Sequence, residues 1–196
     1  MRKFHTWSIA ALMAASAPAL ALAQTVGSET QRDVNQQQRI ENGLKDGQLS
    51  TGEAAKLERG ETRIDKMERN ADRNGTVSPA EAARIQRAQN AESQAIKRDT
   101  TNAKTGDPNS ASSQRMQKDV QRSVNQEKRI KQGVSSGALT TRETGKLEGQ
   151  QAHVDRNEAR AGANGNVSAQ EQRRIQRKEN RASNQIYQQK HDAQTQ

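Results

Sequence analysis

Apolar positions along this chain recur at steps of three and four, not two. Between residues 51 and 72 they are Ala54, Leu57, Ile64 and Met67; from 79 onward they are Ala82, Ile85 and Ile96, with Gln89 and Ser93 interrupting the stripe. This spacing predicts amphipathic helices with a thin, partly polar seam. β-branched and aromatic runs are absent while Gln, Arg, Ala, Glu and Lys abound, so no strand is expected. Short loops with one shared wording separate the helical stretches: Gly47-Gln48-Leu49-Ser50 leading to Glu53, Gly75-Thr76-Val77-Ser78 to Glu81, Gly137-Ala138-Leu139-Thr140 to Glu143, and Gly165-Asn166-Val167-Ser168 to Glu171. A hydroxyl followed three residues later by Glu is a capping box, so four helix starts are expected, with Pro79 at a first helical position where a missing N–H costs nothing.

The loops recur because the chain is written twice. The stretch from Gln31 to Ile96 returns without a gap from Gln121 to Ile186, with close to half of the aligned positions identical. Each copy holds three helical stretches joined by short loops, which favours an up-down-up bundle. The expected fold is all-α, two tandem three-helix units over 24–98 and 114–187, joined by a flexible linker over 99–113 and followed by a disordered tail over 188–196. Gly43 and Gly133 are expected to close the first helices in a left-handed conformation. Gly60 and Gly149, inside the middle stretches, are expected to bend them.

The first 23 residues change the compartment. Met1-Arg2-Lys3, an apolar run from Trp7 to Leu22 and Ala21-Leu22-Ala23 before Gln24 read as a signal peptide cleaved after Ala23, which places the product in a periplasm or outside the cell. No later segment approaches the roughly 20 apolar residues of a membrane-spanning helix. The chain lacks cysteine, which removes disulfides and thiolate chemistry. The only Trp and the only Phe lie in the leader, leaving Tyr187 as the sole aromatic. Each copy keeps few large aliphatics: Val34, Ile40, Leu44, Leu49, Leu57, Ile64, Met67, Val77, Ile85 and Ile96 in the first. Burying one yields roughly 1.5–3 kcal/mol against about 1–2 kcal/mol for ordering each residue, so each unit is expected to be marginal alone.

Twelve residues from Asn70 to Glu81 resemble an EF-hand calcium loop. Asn70, Asp72 and Asn74 stand at the first three ligand positions, Gly75 at the turn, Thr76 at the carbonyl position, Val77 at the apolar pin, Ser78 at the water-mediated position and Glu81 at the chelating one. The resemblance implies a weak Ca²⁺ site at Asn70, Asp72, Asn74, Thr76 and Glu81. Its departures are Asn at the first position and Lys66 and Arg69 where the family places large apolar residues. In the second copy Arg160 and Gly162 replace the first two ligands. The alternative is that all four loops are only helix caps.

Formal charge is +9, and most of it falls on the second copy. Arg173, Arg174, Arg177, Lys178 and Arg181 on the last helix form a candidate surface for an anionic envelope component or an acidic protein. No nucleic-acid partner is expected, since no aromatic set is interleaved for base stacking. Arg87, Asn90 and Ser93 recur as Arg177, Asn180 and Ser183 at steps of three, which favours a polar contact inside the bundle. His5, His153 and His191 assemble no catalytic or zinc spacing, and acidic pairs read as ordinary helix-surface charges, so no enzyme is expected. The chain also resembles small exported helical proteins of Gram-negative bacteria that lack an assigned activity, through Asn180, Ser183, Ile186, Tyr187, Lys190 and His191. That resemblance implies an envelope setting and no reaction. The expected function is non-enzymatic binding, with a structural, stress-related or adaptor role as the alternative.

Overall fold

The computed structural model describes residues 17–193 of the chain, with side chains from Thr25 onward. The described residues are helical throughout, without strands: α1 Ala17–Lys45, α2 Thr51–Asp72, α3 Pro79–Thr101, α4 Ala111–Ser135, α5 Thr141–Ala161 and α6 Ala169–Lys190, with a single 3₁₀ turn at Gly162–Asn164. Of the leader expected over 1–23, residues 1–16 lie outside the described residues and 17–23 belong to α1. No helix among the described residues is long and apolar enough to cross a membrane.

All four capping boxes form, at Ser50/Glu53, Ser78/Glu81, Thr140/Glu143 and Ser168/Glu171. In each, the hydroxyl accepts from the amide of the Glu and the Glu carboxylate accepts from the cap's own amide, so two otherwise orphan donors are used.

Within the first copy α1 and α3 run together and α2 runs back between them. Cross-bridges fix this: Arg39 donates to Ser93 Oγ at 2.7 Å and Arg32 to Asn90. Ninety residues on, Arg129 donates to Ser183 Oγ at 2.6 Å and Arg122 to Asn180 at 2.7 Å. Of the recurring polar steps of the last helix, Asn90/Asn180 and Ser93/Ser183 are therefore contacts to the first helix of the same copy, while Arg87 and Arg177 are exposed.

The copies do not stand apart. α2 packs most extensively on α5, and α1 on α4, each helix against its own equivalent and antiparallel to it. Lys45 reaches Gln121 and Lys128 reaches Gln38, an antiparallel pairing of residues 38–45 of α1 with 121–128 of α4. α3 lies over α1 and α2, and α6 over α4 and α5, leaving α1, α2, α4 and α5 around a common interior. One apolar cluster draws on both copies, with Ile40, Leu44 and Leu57 beside Met116, Val120 and Val154; a second joins Ile85 to Ile130 and Leu147. Sharing a core in this way raises the apolar area that each thin unit buries.

Several local expectations change. Gly43 and Gly133 stay inside α1 and α4, where a Cβ would press on Leu49 Cδ1 at 2.7 Å and Leu139 Cδ1 at 2.5 Å; the left-handed residues are Gly47 and Gly137, with φ of 70° and 73°. The loop's first apolar residue folds back over the helix end, and the space beneath it is what those glycines supply. Gly60 and Gly149 lie in uninterrupted helices and provide room for Glu92 and Arg69. The segment between the copies is shorter than 99–113, because α3 continues to Thr101 and α4 begins at Ala111. It is held to both copies: Gly106 N–H donates to the Gly47 carbonyl at 2.8 Å, and the Gln117 amide of α4 donates to the Pro108 carbonyl at 2.9 Å. The helix at the far end runs three residues into the expected tail, to Lys190.

Candidate metal centre

The common interior is acidic. α2 turns Glu58, Glu61, Asp65, Glu68 and Asp72 inward, and α5 turns Glu148, Gln151, Asp155 and Glu158 inward, all buried. Steps of three and four place each set on one helix face. α1 adds Glu29 and Asp33, and α4 adds Asp119 and Glu127. The opposite faces of α2 and α5 carry the cations. Acidic pairs expected on the surface are thus the inward face, because the glycine-lined α2/α5 contact uses the acidic side of each helix as its inner edge.

Three groups of carboxylates have oxygens within 4.8 Å of one another: Asp33, Glu127 and Glu148; Asp65, Glu68 and Glu148; and Glu58, Asp155 and Glu158. The first two share Glu148, so α1, α2, α4 and α5 together deliver five carboxylates to one place. The third group is the equivalent of that place in the other copy. Glu58 corresponds to Glu148, Asp155 to Asp65 and Glu158 to Glu68, while the counterparts of Asp33 and Glu127 are the neutral Ser123 and Gln37.

Neutral replacements satisfy what they face. Gln37 Nε2 donates to Glu58 Oε2 at 3.0 Å and Ser123 Oγ to Glu158 Oε1 at 3.3 Å. In the five-carboxylate cluster, Gln89 Nε2 donates to Asp33 Oδ1 at 2.9 Å and Glu68 Oε1 at 3.0 Å. Asp33 Oδ2, Asp65 Oδ2, Glu68 Oε2, Glu127 Oε2 and both oxygens of Glu148 have no hydrogen-bond partner. Asp65 and Asp155, equivalent residues, meet between the two clusters.

Burial without counter-charge moves every one of these acids toward its neutral form. Desolvation, helped by neighbouring carboxylates, pushes Asp33 from 3.8 to about 8; desolvation raises Asp155 to about 7. Glu58, Glu68, Glu127, Glu148 and Glu158 are held well above the usual carboxylate range by desolvation first and like charge second. The ion pairs among the described residues lie elsewhere, at Lys45–Glu41, Lys56–Asp99 and Arg122–Glu179.

The residues expected to form a calcium loop are divided between surface and interior. Asn70, Asn74 and Thr76 are exposed, and Asn74 Oδ1 accepts from the Thr76 amide at 3.0 Å. Glu81 Oε2 accepts from both the amide and the hydroxyl of Ser78. Asp72 is 1% exposed and faces α5, where a Cβ on Gly145 would meet its own Cβ at 2.5 Å. Burial raises its carboxyl to about 8, with Glu29 and Glu81 adding like charge.

On α6, Arg173, Arg174, Arg177 and Arg181 are exposed and Lys178 is half-buried. A denser basic surface lies on the outer side of the α2/α5 seam. Arg69, Arg73, Arg142, Lys146 and His153 line a cleft of about 520 Å³, and Arg59, Arg63, Lys66, Arg156 and Arg160 line a second of about 500 Å³, with no acidic residue in either lining. Neighbouring cations and burial hold the His153 imidazole below its ordinary pKa, desolvation being the larger cause.

The chain matches no protein-family model, no curated protein and no solved structure. The acidic interior nevertheless has a sequence signal: Glu58, Glu61, Asp65 and Glu68 recur as Glu148, Gln151, Asp155 and Glu158, a spacing kept by both copies beside apolar Leu57/Leu147 and Ile64/Val154.

Proposed function

We propose that this is a non-enzymatic, exported binding protein whose function is to take up hard divalent cations inside a bundle built from two copies of one three-helix unit. The observation that carries the reading is the interior cluster of Asp33, Asp65, Glu68, Glu127 and Glu148, buried with unpartnered oxygens and no basic residue paired to it. Keeping Asp33 protonated up to about 8 instead of 3.8 costs on the order of 5 kcal/mol near pH 8. Two or three such groups are comparable to the whole of the roughly 5–15 kcal/mol by which a domain is stable. Near neutral pH a bound cation would relieve that cost by taking the place of the held protons. Oxygen-only donors favour Ca²⁺, Mg²⁺ or Mn²⁺ over metals that prefer imidazole or thiolate.

Calcium remains the first cation to test, and the interior takes precedence over the Asn70 to Glu81 loop as its seat. Asp72 belongs to the interior face, and Glu81 is engaged by its cap. Export, with the leader removed after Ala23, puts such a protein where millimolar divalent cations are common and weak sites fill.

The basic outer clefts, together with Arg173, Arg174, Arg177, Lys178 and Arg181, suit an anionic envelope component or acidic protein as partner. A cation store facing an anionic surface keeps the two charges on opposite sides of α2 and α5.

Thermal unfolding of the chain from Gln24 onward, stripped with chelator near pH 7 and then given Ca²⁺, Mg²⁺ or Mn²⁺, tests the reading. A rise in Tm that grows with cation concentration, reversed by chelator, is expected. An unchanged Tm with all three cations would sink it and leave a structural or adaptor role with capping loops.

A further inference from the structure

The two equivalent carboxylate clusters are unequal, and the inequality points to different cation numbers. Glu148 belongs to both groups of the larger cluster, Asp33/Glu127 on one side and Asp65/Glu68 on the other. Both of its oxygens are without a partner, although the residue is 1% exposed. Its equivalent, Glu58, belongs to one group only and has one oxygen occupied by Gln37.

Resting on the cation-binding reading above, we propose that the larger cluster holds a pair of divalent cations bridged by the Glu148 carboxylate, whereas the Glu58 cluster holds one. Charge supports the difference. Five ionised carboxylates with one divalent cation leave three uncompensated negative charges in the interior, and with two they leave one. Three carboxylates with one divalent cation also leave one. The two clusters thus reach the same residual charge with different occupancies, and the neutral pair Gln37 and Ser123 stands where the second cation's ligands, Glu127 and Asp33, would be. Gln89, by donating to Asp33 Oδ1 and Glu68 Oε1 together, links one member of each group and leaves their other oxygens for the cations. A carboxylate that bridges through both oxygens suits cations about 3.5–4 Å apart.

Mn²⁺ is the probe, because bridged and isolated ions differ in electron paramagnetic resonance. The full chain from Gln24, stripped and titrated with Mn²⁺, is expected to bind about three ions, two of them giving the broadened multiline spectrum of a coupled pair and one the six-line spectrum of an isolated ion. Glu148→Gln should abolish the coupled signal and leave about one ion, while Glu58→Gln should keep the coupled signal and lose only the isolated one. Bound Mn²⁺ showing only isolated signals in the unsubstituted protein would overturn the bridged pair while leaving cation binding intact. No bound Mn²⁺ at all would overturn the underlying reading as well. The unsubstituted protein's spectrum decides the matter even if Glu148→Gln fails to fold, and circular dichroism identifies that case.

Discussion

Glu148 and Glu58 stand at the same place in the two copies, yet Gln37 donates to Glu58 at 3.0 Å and nothing donates to Glu148. A buried carboxylate with no donor is a cost that removal of its charge relieves. In chelator near pH 7, Glu148→Gln should therefore stabilise the protein by about 1–3 kcal/mol, and Glu58→Gln by less. With saturating calcium the order should reverse, since Glu148→Gln removes ligands from the fuller cluster. Urea unfolding in the two conditions measures both, and an Glu148→Gln protein destabilised in chelator would contradict the account.

Stripped protein should lose stability as pH rises. Asp33, Asp72 and Asp155 have folded values of about 8, 8 and 7, each above its unfolded value of 3.8. Below about pH 4 both states are protonated and these groups impose nothing; from there to about pH 8 the unfolded chain ionises freely while the folded one must hold its protons. Each such group lowers stability by about 1.4 kcal/mol per pH unit across that window. Urea midpoints in chelator should therefore fall between about pH 5 and 8, and calcium should flatten the curve by taking the protons' place. A stripped protein more stable near pH 8 than near pH 5 would mean that the interior acids are not buried.

The α2/α5 contact depends on missing side chains. A Cβ on Gly145 would lie 2.5 Å from Asp72 Cβ and 3.4 Å from the Arg69 carbonyl, atoms fixed to the facing helix; on Gly149 it would meet Arg69 Cδ at 2.5 Å, part of a long side chain that can turn away. Gly145→Ala should cost about 1–3 kcal/mol through overpacking, whereas Gly149→Ala should be near neutral because alanine's helix propensity, worth about 1 kcal/mol over glycine, offsets the displaced arginine. Thermal unfolding of the two variants distinguishes them. Equal losses would mean that the helices separate freely.

Helix starts were legible because a capping box is local: four residues carry the whole signal. Packing of the copies on each other was not, since the apolar stripe of α2 says that something covers it but not that α5 does. The acidic face hid for a related reason. Glu58, Glu61, Asp65 and Glu68 look like solvent-facing charges on a single helix, and only the equivalent spacing in α5, with α1 and α4 closing the sides, encloses them. The basic residues between them, Arg59, Arg63, Lys66 and Arg69, carried the opposite clue: an amphipathic helix whose two faces differ in the sign of charge. Gly145 and Gly162 carry no signal of their own for the same reason, because what they make room for is the helix that approaches them.

The calcium loop and the interior make separable demands. Asn70 and Glu81 lie outside the interior cluster, so Asn70→Ala and Glu81→Ala should leave calcium affinity within about twofold, while Asp33→Asn and Glu127→Gln should weaken it by about tenfold or more. Calorimetric titration compares the four. Loss of binding in the first pair with retention in the second would return the site to the loop.

Equivalence of the copies also allows the fuller cluster to be built where it is absent. Ser123 and Gln37 occupy the positions of Asp33 and Glu127, so Ser123→Asp with Gln37→Glu gives the Glu58 cluster five carboxylates. Two hydrogen bonds disappear with the change, those from Gln37 to Glu58 and from Ser123 to Glu158, and two charges enter a buried site. In chelator near pH 7 the double variant should lose about 2–5 kcal/mol, and lose it only above about pH 5, because protonated acids can replace the lost donors. With Mn²⁺ it should recover and bind one more ion than the parent, now as a second coupled pair. Destabilisation that no cation repairs would show that five carboxylates around this backbone do not make a site, and would remove the physical basis for reading the natural cluster as one.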